Sequence, residues 1–243
     1  MTIESVDLTE YCSGGYFLLR ANRPDWPAQF TQLWPAGRLI SLSACICPSR
    51  LQVYWGWTPG DREAALSFGI PEARWEEFRE WCGVEYHETL DRVSMFYTPD
   101  GARAFVRRFN LETDNLYLIG AALPRSFRPA WIDGERDNEG IARRIKQGLS
   151  VEAGGRPLGY DVVSTSYADL AHSWLCSGLD KDMNEQFGIR ANDNGLLSTY
   201  ADAKRVNDWI AEDHEQGTRA EPEPYNFWLL LDYPIRAERE GQL

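Results

Sequence analysis

His172 and Cys176 stand four residues apart in His172-Ser173-Trp174-Leu175-Cys176. On a helix that spacing puts two side chains on one face, and an imidazole beside a thiol is how cysteine nucleophiles are activated. Asp161 and Asp169 are the nearby carboxylates that could orient such an imidazole. Against this chemistry, cysteine is among the most frequently buried residues, and Trp174, Leu175 and Leu179 give the segment an inward-facing character. The expectation is a hydrogen-bonded core pair. An enzyme with a dispersed site around His172, Cys176, Asp161 and Asp169 is the alternative.

Other chemistry finds less support. Cys45 and Cys47 with His172 and Cys176 have the wrong spacing for a structural zinc site, which needs two matched Cys-x2-4-Cys-like pairs. Placing Gly195 of Asn192-Asp193-Asn194-Gly195 at the sixth position of a calcium loop puts Arg190 first and Ala201 twelfth, where carboxylates are required. Gly154-Gly155 and Gly159 are interrupted by Pro157 and precede a strand, so they are not a dinucleotide fingerprint. Phosphate-loop, zinc-protease and nucleophile-elbow patterns do not occur. The carboxylate pairs Glu76-Glu77, Glu212-Asp213 and Glu221/Glu223 sit in polar surroundings and read as solvated faces. No cofactor and no metal are expected.

These residues must be held by an α+β fold, a mixed or antiparallel sheet with helices packed on it. Tyr16 to Leu19 reads as a strand, and Leu39 to Cys47 with Leu51 to Trp57 reads as a hairpin around Pro48-Ser49-Arg50. Pro71 opens a helix with Trp75, Phe78, Trp81 and Cys82 on one side. Arg92 to Tyr97 predicts a strand, Thr98-Pro99-Asp100 a capped helix, and Leu116 to Leu123 a strand buried on both faces. A helix over 138–147, a strand over Leu158 to Ser164, a helix over Tyr167 to Leu179 and another over Asp180 to Phe187 follow. Thr199 and Asp202 open a further helix, and Tyr225 to Tyr233 predicts a strand paired centrally.

The chain divides either as one domain or as two similar-sized α+β units, 1–125 and 156–243, joined by the glycine-punctuated connection 126–155. Phe68-Gly69-Ile70 and Phe187-Gly188-Ile189 form an internal echo, one before the helix ending in Trp81 and one before the helix bearing Trp209. With no regular period beside it, chance is the expected explanation. Gly155-Arg156-Pro157-Leu158-Gly159-Tyr160-Asp161-Val162, His172-Ser173-Trp174-Leu175-Cys176-Ser177-Gly178-Leu179 and the stretch to Ile210 resemble a group of uncharacterised stand-alone bacterial proteins. The resemblance covers about the C-terminal hundred residues and implies no activity.

The formal charge of −12 argues against a nucleic-acid partner, which requires a basic patch. From Asp180 onward, fourteen acids face seven bases. No apolar run approaches the ~20 residues a bilayer requires. The acidic N-terminus does not resemble a secretory signal, and five scattered cysteines do not suggest a disulfide framework. A cytoplasmic location is therefore expected. Ten tryptophans and a basic complement that is nearly all arginine suit a protein interface. The leading expectation is a non-enzymatic bacterial binding protein of the immunity type, neutralising a basic cognate toxin. Trp209, Glu212, Asp213, Glu221, Glu223 and Tyr225 are its candidate contacts. An adaptor subunit of a larger assembly is a further alternative. The sequence leaves the oligomeric state open.

Overall fold

A computed structural model describes residues 5–20, 39–43, 46–47, 49–91, 93–133, 140–166, 169–176, 178–216 and 224–236. Five strands, β1 (Tyr11–Arg20), β2 (Leu116–Pro124), β3 (Arg156–Ser166), β4 (Asp169–Ser173) and β5 (Tyr225–Tyr233), form one sheet in the order β1-β2-β5-β3-β4. Every neighbouring pair is antiparallel. The chain is an α+β fold, and its last strand lies at the centre of the sheet. Strands from the N-terminal and C-terminal halves thus share one hydrogen-bonded sheet.

Both faces of that sheet are covered, which is why β2 and β5 read as continuous apolar runs instead of alternating ones. On the first face Tyr16, Leu18, Leu118, Val162, Phe227 and Leu229 meet five helices. These are α1 (Arg62–Phe68), α2 (Trp75–Val84), α3 (Pro99–Arg108), α6 (Leu179–Phe187) and α7 (Tyr200–Gln216). On the second face Phe17, Leu19, Ile119, Val163, Trp228 and Leu230 meet α4 (Arg128–Asp133), α5 (Gly140–Gln147) and the irregular segment carrying Ile40, Leu42 and Cys47.

The internal echo belongs to a repeated order of elements. In β1 the register shifts at Gly15 (φ +116°), and Tyr16 then exchanges two backbone hydrogen bonds with Phe96. In β3 the register shifts at Gly159 (φ +131°), and Tyr160 exchanges two with Leu197. Two residues beyond each partner stands a threonine, Thr98 or Thr199, whose hydroxyl accepts the N–H of Gly101 or Asp202 and opens α3 or α7. Ala102, Phe105 and Phe109 then occupy the places that Ala203, Val206 and Ile210 take in α7, all buried. Each of those helices leads into an interior strand, α3 into β2 and α7 into β5. Upstream, α1 and α6 both end in Phe-Gly-Ile, with the glycine left-handed (φ +115° and +68°) and the isoleucine N–H returning to the Ala65 or Met183 carbonyl. Chance is therefore the wrong explanation, and the counterpart of α7 is α3, not the helix ending near Trp81. That helix, α2, lies in a connection from Ile70 to Phe96 that the second half makes directly from Ile189 to Leu197.

Three sequence expectations differ from the structure. Val53–Gly56 is a tight 3-10 turn instead of a strand, because Gly56 sits against Cys82 where a Cβ has no room. Phe96 forms isolated bridges in place of an extended strand over 92–97. Residues 169–173 form the edge strand β4, where a helix over 167–179 was expected.

Candidate functional site

Across the second sheet face runs a buried chain of alternating charges linked through backbone groups. At one end Asp161 of β3 is fully buried. One carboxylate oxygen accepts the Ser41 hydroxyl at 2.7 Å and the Leu42 N–H at 3.0 Å, and the other accepts the Ser173 hydroxyl at 2.7 Å. Loss of solvation pushes its pKa up to about 6 against the pull of those donors. The carbonyl of the same residue, Leu42, accepts from the guanidinium of Arg50.

Arg50 also donates to the Val93 carbonyl at 2.8 Å and lies over the Phe17 ring, 4.6 Å from its centroid. Burial holds its pKa below the usual arginine value. The Val93 N–H in turn reaches Asp91 at 3.1 Å, and the other Asp91 oxygen pairs with Arg144 at 2.8 Å. Arg144 ends the chain on the Gly14 carbonyl at 2.8 Å. The glycine pair in β1 explains this seat. A Cβ on Gly15 would come within 2.6 Å of the Arg144 guanidinium. Two aspartates and two arginines thus balance one another inside the protein and fix the segments 39–43 and 49–53, with Asp91 and residues 93–95, to the sheet.

The arrangement does not assemble the His172 and Cys176 nucleophile that the sequence offered as an alternative to a core pair. Because 169–173 is a strand, the helical spacing that placed His172 and Cys176 on one face is absent. Successive strand residues point to opposite faces, so Ser173 takes the position on Asp161 and His172 points away from it. The backbone N–H of His172 donates to the Ser164 hydroxyl at 3.1 Å. Cys176 follows in a turn, half-buried, with its sulfur 3.7 Å from the Ser43 hydroxyl. Asp169 lies on β4, and its side chain falls outside the described residues, as does Cys45 of the rejected zinc set. Cys47 is buried, its thiol pushed up to about 11 by desolvation. Among the described residues no group of three or more His, Cys, Asp or Glu is placed to hold a metal ion, and no helix is long and apolar enough to cross a membrane.

The tryptophans are mostly interior. Trp55, Trp75, Trp81, Trp131, Trp174 and Trp228 are buried. Among the described tryptophans, Trp57 is 52% exposed and Trp209 is half-buried. Tyr54 precedes it by three residues, which in a 3-10 turn puts both on one side. Trp57 borders a hollow with Gly83 and Tyr86, next to the exposed Val84. The surrounding stretch 58–90 holds eight acids and three bases. This patch was missed from sequence, although Thr58-Pro59-Gly60 directly after Trp57 is a turn signal that marks a surface position.

Of the contacts predicted from sequence, Trp209 is half-buried on α7 against the first-face core and Glu212 is exposed on the same helix. Asp213 is also on α7, with its side chain outside the described residues, and Glu221 and Glu223 lie outside them altogether. Tyr225 begins β5 and is buried. Compared with known protein families, curated proteins and solved structures, the chain matches none.

Proposed function

We propose that this chain is a protein-binding protein that neutralises a basic partner by covering it, in the way a bacterial immunity protein blocks its cognate toxin. The observation that carries the reading is the exposure of Trp57 and Tyr54 on one turn, with the exposed Val84 directly after Gly83 of the hollow that Trp57 borders, within a stretch rich in carboxylates. Exposed aromatic clusters are where protein partners seat, since a rigid indole covers much area at little entropic cost. The connection that carries α2, with Val84 as its last residue, is longer than its counterpart in the second half, which closes the same fold without it. An overall charge of −12 attracts a basic partner over long range.

The test is capture from native lysate by the immobilised wild-type chain and by a Trp57→Ser/Val84→Ser variant, at low and high salt. The reading expects one stoichiometric basic protein, held by the wild type with about tenfold greater affinity than by the variant. Capture of nothing, or equal retention by both chains, overturns it.

A further inference from the structure

A second surface feature stands apart from the Trp57 patch. Between the N-terminal turn, the start of β1, the end of β2 and the start of α7 opens a cleft of about 430 Å³. Its floor is tyrosine. Tyr11 and Tyr160 are buried, their hydroxyls 3.0 Å apart, and the half-buried ring of Tyr200 stands perpendicular to that of Tyr160 at 6.2 Å. Its rim is acidic, formed by Asp7 and Glu10, both exposed.

The one cation on the wall, Arg125, is already engaged. Its guanidinium donates to the Thr9 carbonyl at 2.8 Å, to the Cys12 sulfur at 3.3 Å and to the Gly148 carbonyl at 3.4 Å. Arg125 thereby anchors the turn that carries Asp7 and Glu10 over the tyrosines. Asp7 uses one carboxylate oxygen to cap that turn, accepting both the N–H and the hydroxyl of Thr9, and those bonds hold its carboxyl below the usual range. It stays ionised at neutral pH. Two carboxylates above perpendicular aromatic rings are complementary to a planar cation with several donors.

We infer that this cleft seats a guanidinium group, its edge on Asp7 and Glu10 and its alkyl stem against Tyr200, brought either by an arginine side chain of another protein or by a small free guanidine. The site stands whether or not Trp57 docks a partner, and it is tested without one. Tyrosine ring resonances are followed by NMR during titration with agmatine, with the peptide acetyl-Gly-Arg-Gly-amide, and with the same peptide carrying the neutral isostere citrulline.

The arginine peptide or agmatine is expected to bind at least about tenfold more tightly than the citrulline peptide and to shift Tyr11, Tyr160 and Tyr200. Tighter binding of the arginine peptide assigns the site to a protein side chain, and tighter binding of agmatine assigns it to a small molecule. An Asp7→Asn/Glu10→Gln variant, in which Asn still caps Thr9, is expected to reduce the preference over citrulline to about twofold or less. Equal binding of arginine and citrulline peptides, shifts confined to other tyrosines, or an unchanged preference in the variant overturns the inference.

Discussion

Asp161 and Arg50 hold the two backbone polar groups of one residue, Leu42. The carboxylate takes the Leu42 N–H at 3.0 Å and the guanidinium takes the Leu42 carbonyl. Neither charge is neutralised by direct contact with the other. Both are buried, so the segment around Leu42 is fixed by groups that would be costly to leave unmatched.

The first prediction concerns pH. The Asp161 carboxyl rises from an ordinary 3.8 to about 6 in the folded protein. The folded state therefore binds the proton more tightly than the unfolded chain does. Its contribution is complete below pH 3.8 and is lost as pH rises through about 6. A two-unit shift corresponds to about 3 kcal/mol. Asn at this position can keep its oxygen on Ser41 and Leu42 and turn its amide towards the Ser173 hydroxyl. The stability difference between wild type and Asp161→Asn, from urea unfolding at pH 4 and pH 7, should shift against the wild type at the higher pH. A difference that does not change between those values contradicts the assignment.

Arg50→Met removes the donor to both the Leu42 and Val93 carbonyls while keeping most of the side-chain volume. Two buried acceptors left without that partner predict a loss of about 2–4 kcal/mol in urea unfolding. A loss below about 1 kcal/mol would mean that the guanidinium is not holding these segments.

The repeated order of elements makes a paired prediction at Gly15 and Gly159. Both have positive φ, and an added Cβ would lie 2.6 Å from the Arg144 guanidinium or from the Leu197 carbonyl oxygen. Alanine at either position should cost at least about 2 kcal/mol, more at Gly159 because its obstacle is backbone. Gly154 also has positive φ (+87°) but meets nothing within 4 Å. Its alanine variant carries only the backbone cost of about 1 kcal/mol. Equal losses at all three positions would show that close approach plays no part.

The thiols of Cys47 and Cys82 are pushed up to about 11 and about 12, in each case chiefly by burial. Both should resist iodoacetamide in the native protein at pH 7.5 and react once it is unfolded. Mass spectrometry of the labelled peptides reads this directly, and native labelling of either contradicts the packing described.

Much of the framework was legible because local chemistry dictates it. Thr98-Pro99 and Thr199-x-x-Asp202 cap helices wherever an apolar stripe follows, and Tyr225–Tyr233 is apolar on both sides because it is buried on both faces. The segment 51–57 deceived because its Val, Tyr and Trp favour strands, whereas Gly56 closes it against Cys82. Residues 169–176 deceived because Trp174 and Leu175 supply apolar spacing without a helix. Of the four buried charges, sequence reasoning singled out Asp161 alone, and for a different role. Arg50, Asp91, Arg144 and Asp161 are far apart in sequence and act largely through backbone groups, which carry no residue signature. Tryptophan content suggested a docking surface but gave no way to tell the exposed Trp57 from the six buried indoles.

The account rests most heavily on Trp57 being a contact residue and not a structural one. Trp57→Ser/Val84→Ser should lower unfolding free energy by no more than about 1–3 kcal/mol, since Val84 is 64% and Trp57 52% exposed and the main loss is the indole N–H donated to the Cys82 carbonyl at 3.3 Å. Binding of the captured basic protein, measured by calorimetry on the same folded variant, is predicted to weaken about tenfold or more. Unchanged affinity in that variant would contradict the proposed docking surface.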